Sequence, residues 1–149
     1  MNTRLRQRGT TTVEFAIVGL LVITLLFAII EFGRILFTLN MLQEGARRAA
    51  RVAAVCAVSN PANPAVANAA VFTDLPGFST ANVVVEYLDQ NGASTGNFSS
   101  IRYVRVRIVN YSLPIAIPFI NPTFNAPEFS STLPRESLGV PKFGAAPAC

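Results

Sequence analysis

The chain has 149 residues with 12 basic and 8 acidic side chains, and its net charge of +4 is unevenly lodged. It has no His, no Trp and two Cys, and 51% of it is hydrophobic. That balance excludes a disordered chain, leaves acid–base catalysis without its usual imidazole, and suits a membrane-anchored protein with one small domain.

The charge collects at the start. Arg4, Arg6 and Arg8 precede Gly9 with no acid among them, and without residues 1–9 nine basic residues face eight acidic ones. No aromatic and basic platform accompanies them, so nucleic-acid binding is not expected. An apolar run follows. Phe15 to Ile30 carries no charge and spans roughly 24 Å as a helix; counted from Thr10 the helix spans roughly 31 Å, enough for a hydrocarbon core of about 30 Å. Arg4, Arg6 and Arg8 act as an orientation signal that keeps the leader cytoplasmic, so the chain after Ile30 is exported.

Glu14 sits inside the longer span. A carboxylate at the centre of a membrane helix costs roughly 2.5–3.5 kcal/mol on insertion scales, less near the edge, so it needs a role. A removable secretory signal is disfavoured: no small-x-small site follows the run, which continues as Glu31-Phe32-Gly33-Arg34. An uncleaved signal-anchor is the plain alternative. The third reading rests on a resemblance: Gly9, four residues and then Glu14 at the opening of an apolar helix resembles the processing signal of type IV prepilins, which implies a cut between Gly9 and Thr10, before the run. Glycine offers a protease cleft no side chain, and the cut makes Glu14 the fifth residue of the mature chain. Its carboxylate can then pair with the new ammonium of a neighbouring subunit.

The helical pattern continues past Ile30. Leu21, Leu25, Ala28, Phe32, Ile35, Leu39, Leu42, Ala46, Ala49, Ala53 and Cys56 recur in alternating steps of three and four, a heptad-like seam. From Thr10 to Val58 this predicts a helix of about 70 Å, ended by Ser59-Asn60-Pro61. Ala46 to Cys56 is expected to pack on the chain's own sheet, and the membrane half on the helices of partner subunits. Glu44 and Arg48 are spaced to pair.

Beyond residue 60 the pattern predicts a short helix over Ala65–Phe72, a strand over Asn82–Leu88, a turn at Asp89-Gln90-Asn91-Gly92 and a strand over Ile101–Tyr111. Val104, Val106 and Ile108 share one face of that strand, opposite Arg105 and Arg107. The arginine face, with Arg102, reads as solvated rather than as an anion site. Leu113–Pro127 reads as an irregular crossover, Phe129–Leu133 as a last strand, and the tail after Pro134 as mobile. Cys56 and Cys149 lack metal-ligand spacing. In an exported chain they can pair, closing a loop worth about 4–5 kcal/mol in the chain-entropy model; a buried Cys56 and a free terminal Cys149 is the alternative. No catalytic site, cofactor site or metal site emerges, so an enzyme is not expected.

The run RGTTTVEFAIVGLLVITLLFAIIEFGRILFTLNMLQEGARRAARVAA resembles the TadE-like minor pseudopilins of the tight-adherence (Tad, or Flp) pilus system. Arg8-Gly9, Glu14-Phe15, Glu31-Phe32-Gly33-Arg34 and Glu44-Gly45-Ala46-Arg47-Arg48-Ala49-Ala50 carry the likeness, over roughly the first 55 residues. It implies cleavage after Gly9 by a membrane prepilin peptidase. It also implies work beside other pilin and pseudopilin subunits and a pilus assembly platform, and a place in the bacterial inner membrane. The expected class is α+β and pilin-like, a long transmembrane and stalk helix packed at its distal end on a small antiparallel sheet. The expected division is a cleaved leader (1–9), the helix (10–58), an exported β-rich domain (59–134) and a mobile tail (135–149). The alternative function is an uncleaved, signal-anchored binding domain.

Overall fold

The computed structural model describes residues 7–58, 64–71, 75–116, 122–140 and 149, and the side chains of residues 7 and 8 are left aside. Helix α1 spans Gln7–Val55, 49 residues and about 74 Å. Gly9, Gly19 and Gly33 do not interrupt it. Gly9 and Thr10 therefore lie inside the helix, with no break between leader and span. Arg4 and Arg6 lie outside the described residues.

The helix stops at Val55, three residues before the expected end. A crossing chain takes the space into which it would continue. The backbone N–H groups of Glu136 and Leu138 donate to Ala54 O at 3.1 and 3.3 Å, and that of Gly139 donates to Val55 O at 2.7 Å. These are carbonyls that a helix terminus leaves without internal partners. Gly139 has φ +80°, and a Cβ there would lie 2.7 Å from Ala57 Cα, so only glycine permits the approach. Ser59-Asn60-Pro61, the expected stop, lies outside the described residues. At the start of the expected tail, Leu138 is buried in the core and the backbone around it caps α1.

After α1 come a short helix α2 (Pro64–Ala70) and the strands β1 (Val83–Leu88), β2 (Tyr103–Ile108), β3 (Ser112–Pro114), β4 (Thr123–Asn125) and β5 (Phe129–Pro134). An antiparallel sheet is ordered β1-β2-β5, with Val85 opposite Val106 and Val106 opposite Ser131. The fold is α+β, a long helix with a small antiparallel sheet against it. Between β1 and β2, Asp89 Oδ1 accepts from the N–H groups of Asn91 and Ala93, and Gly92 takes φ +79° to close the turn. Strand β2 ends at Ile108 rather than Tyr111. Asn110 turns the chain at φ 55°, and Asn82 Nδ2 holds the carbonyls of Val109 and Asn110 at 3.1 and 3.0 Å. The expected crossover contains a second sheet, the β3–β4 hairpin.

One α1 face carries the core. Distally, Ala49, Ala50, Ala53 and Cys56 pack with Val66 and Ala70 of α2 and with Ile101, Val104, Val106 and Leu138. Nearer the membrane, Leu42 and Ala46 pack with Leu75, Phe78, Ile108, Tyr111 and Leu113. The Phe78 and Tyr111 rings meet edge to face at 5.6 Å, and Tyr111 donates to Pro76 O. Alanines on the helix let β2, β5 and α2 approach closely. A sheet of three strands needs such a cover for its apolar face. Cys56 and Cys149 form a disulfide that joins the chain terminus to the end of α1.

Candidate functional site

The membrane half of α1 is bare. Its most apolar window has mean hydropathy 2.8, and none of its residues is buried among the described residues. Leu21, Leu25, Ala28 and Phe32 of the seam are exposed, whereas Leu42, Ala46, Ala49, Ala53 and Cys56 are buried and Ile35 and Leu39 are half-buried. At the start of the span, Gly9, Thr10, Val13, Glu14 and Ile17 line one open face, because positions four apart stack on a helix. Glu14 is exposed on that face, one turn from Thr10. The first turn of α1 holds no acid, so nothing there offsets the positive end of the helix.

At the other end of the span, Glu31 and Arg34 form a clamp. Arg34 Nε donates to Glu31 Oε2 at 3.0 Å, and its Nη2 pairs with Glu31 Oε1 and donates to Pro114 O. The Ala116 N–H donates to Glu31 Oε1 at 3.0 Å. The Glu31 side chain is only 14% exposed, and the hydrogen bond from Arg34 is the main cause that holds its carboxyl below the usual carboxylate range. This clamp ties the β3–β4 hairpin to the helix just past the uncharged run. Chain beyond residue 30 is therefore no bare stalk. In the sequence Glu31 and Arg34 stand as the polar continuation of the helix and as part of a family pattern; their i,i+3 spacing was the available signal for the pair, and nothing local pointed to residues 114 and 116.

The arginine face of β2 does not converge on an anion site. Glu86 pairs with Arg107 at 2.9 Å and Arg105 at 3.7 Å, and Arg107 also pairs with Glu128 at 3.1 Å. Arg102 donates to the carbonyls of Ser99 and Ile101. Burial pushes the Tyr87 hydroxyl pKa up, and that hydroxyl has no hydrogen-bond partner among the described residues. Among the described residues, no three His, Cys, Asp or Glu side chains gather as metal ligands.

A bare apolar helix near the N-terminus, joined to a small sheet domain, defines a single-pass membrane-anchored protein. Residues 9–51 match the family model described as TadE-like protein, so the TadE-like segment covers nearly all of α1 and leaves the sheet domain outside the match. The likeness to TadE-like proteins is thus one of the helix, over residues 9–51. No curated protein and no solved structure matches the chain.

Proposed function

We propose that the protein is a minor pseudopilin that takes part in assembling or initiating a Tad-type pilus. Arg4, Arg6 and Arg8 hold the leader in the cytoplasm during insertion, with the sheet domain exported across the inner membrane. A prepilin peptidase cuts between Gly9 and Thr10. The Glu14 carboxylate then pairs with the Thr10 ammonium of a neighbouring pilin or pseudopilin. The exposed seam of Leu21, Leu25, Ala28 and Phe32 packs on partner helices and meets the assembly platform. The observation that supports this reading best is the exposed face shared by Gly9, Thr10 and Glu14 at the start of a bare apolar helix. A carboxylate on a lipid-facing helix is costly alone, and a paired ammonium offsets much of that cost.

The test is to coexpress the full chain with a prepilin peptidase and sequence its N-terminus. The expected first residue is Thr10. An intact Met1, or a cut elsewhere, overturns the processing step and favours an uncleaved anchor carrying a binding domain.

A further inference from the structure

We propose that the β3–β4 hairpin is a second membrane contact. Its Ile115 and Ala116, with the facing wall of α1, form an apolar cleft that takes a phospholipid acyl chain from the leaflet on the side of the sheet domain. The height of the hairpin carries the first part. The bond from Ala116 N–H to Glu31 Oε1, at 3.0 Å, sets the hairpin level with the first residue beyond the uncharged run. About 20 helical residues cross the hydrocarbon core, so a span opening at Thr10 brings Glu31 to its edge. The headgroup layer adds roughly 5–7 Å on that side, about four more residues of helix. Ile115 and Ala116 thus lie at the boundary between headgroups and hydrocarbon.

The cleft's chemistry carries the second part. It encloses about 610 Å³ between Ile115, Ala116 and the α1 side chains Ile23, Phe27, Phe32 and Ile35. The polar side chains in its wall are already engaged. The Thr24 hydroxyl donates to Leu20 O at 2.8 Å, and Glu31 is held by Arg34 and Ala116. Dispersion and exclusion of water are what the cleft offers, which fits an alkyl chain. The α1 side of this cleft, Leu20 to Ile35, overlaps the exposed apolar span. The proposal rests on the membrane span and not on cleavage after Gly9, and it concerns the chain in the membrane before assembly, since Ala28 and Phe32 belong both to the cleft and to the seam proposed for partner helices.

Because the chain has no Trp, single substitutions give clean fluorescent probes. The full chain carrying Ile115→Trp is reconstituted in phosphatidylcholine–phosphatidylglycerol vesicles whose acyl chains bear bromine near the headgroup end. Ala116→Trp serves as a second probe should the first disturb the hairpin. Tyr103→Trp, at the far end of β2, reports the water-exposed part of the domain, and Phe27→Trp reports the span. Probes at 115 and 116 are expected to lose most of their emission to the bromolipid, the Phe27→Trp variant likewise, and the Tyr103→Trp variant none. Probes at 115 and 116 that escape bromolipid but are quenched by aqueous iodide overturn the proposal while the Phe27→Trp variant upholds the span. Emission that ignores bromolipid but changes with the protein-to-lipid ratio overturns it in favour of a second copy in the cleft. An unquenched Phe27→Trp variant defeats the span itself, and the proposal with it.

Discussion

The two halves of α1 share one seam and meet opposite fates. From Leu21 to Phe32 the seam is exposed, and from Leu42 to Cys56 it is buried under the sheet and α2. The spacing is the same in both halves. What differs is size: leucine and phenylalanine dominate the first half, alanine the second. Alanines bring the helix backbone close to β2 and β5, so the side chains of Val104, Val106 and Ile108 fill the gap. The first half keeps its bulk outward, as a helix in lipid does without cost. A heptad-like repeat therefore states that a face will pack, and residue size helps to say against what.

Truncation should separate the halves most clearly. Leu42 is fully buried, so Leu42→Ala is expected to cost about 2–5 kcal/mol of domain stability, while Leu25→Ala stays within about 0.5 kcal/mol. Denaturant titration of the sheet domain in detergent micelles measures both. Equal losses would mean that the span is part of the folded core and would break the contrast.

A smaller effect is expected where the buried half meets the chain terminus. The disulfide Cys56–Cys149 links residues 93 apart, and Cys149→Ser should lower stability by about 2–4 kcal/mol under oxidising conditions only, less than the chain-entropy figure because bridges commonly deliver less than that model gives. The same titration with and without reductant checks it. A variant as stable as the parent would show that the backbone caps from residues 136–139 hold the end of α1 unaided.

The junction between the halves should respond to acid. Because the Glu31 carboxyl titrates below its unfolded value of about 4.3, its contribution is complete above that pH and is lost as pH falls through the folded value. The hairpin should stay docked at neutral pH and loosen only on acidification below the ordinary carboxylate range. The Ala116 amide resonance, followed by NMR, should move with that titration in the parent and stay still in Glu31→Gln. An Ala116 amide that ignores acid in the parent would show that the carboxylate does not hold the hairpin.

The smallest effect on folding belongs to Glu14, in the bare half. Glu14→Ala should insert, be cut after Gly9 and keep the stability of the sheet domain within about 0.5 kcal/mol, yet assemble poorly into pili. Pilus counts by electron microscopy measure the outcome, and normal assembly would make Glu14 a passenger.

Local pattern was enough for much of this protein. The long apolar helix, the seam, the turn at Asp89–Gly92 and the inward face of Val104, Val106 and Ile108 are written in neighbours two to four residues apart, where backbone periodicity acts. Tertiary structure alone decided the rest. It ended α1 at Val55 by laying residues 136–139 across it, docked Leu138 in the core, and paired β3 with β4 inside an expected crossover. It also brought Pro114 and Ala116 to Arg34 and Glu31, some 80 residues away. Such contacts depend on which surfaces meet once the sheet has formed, and no spacing along the chain records that.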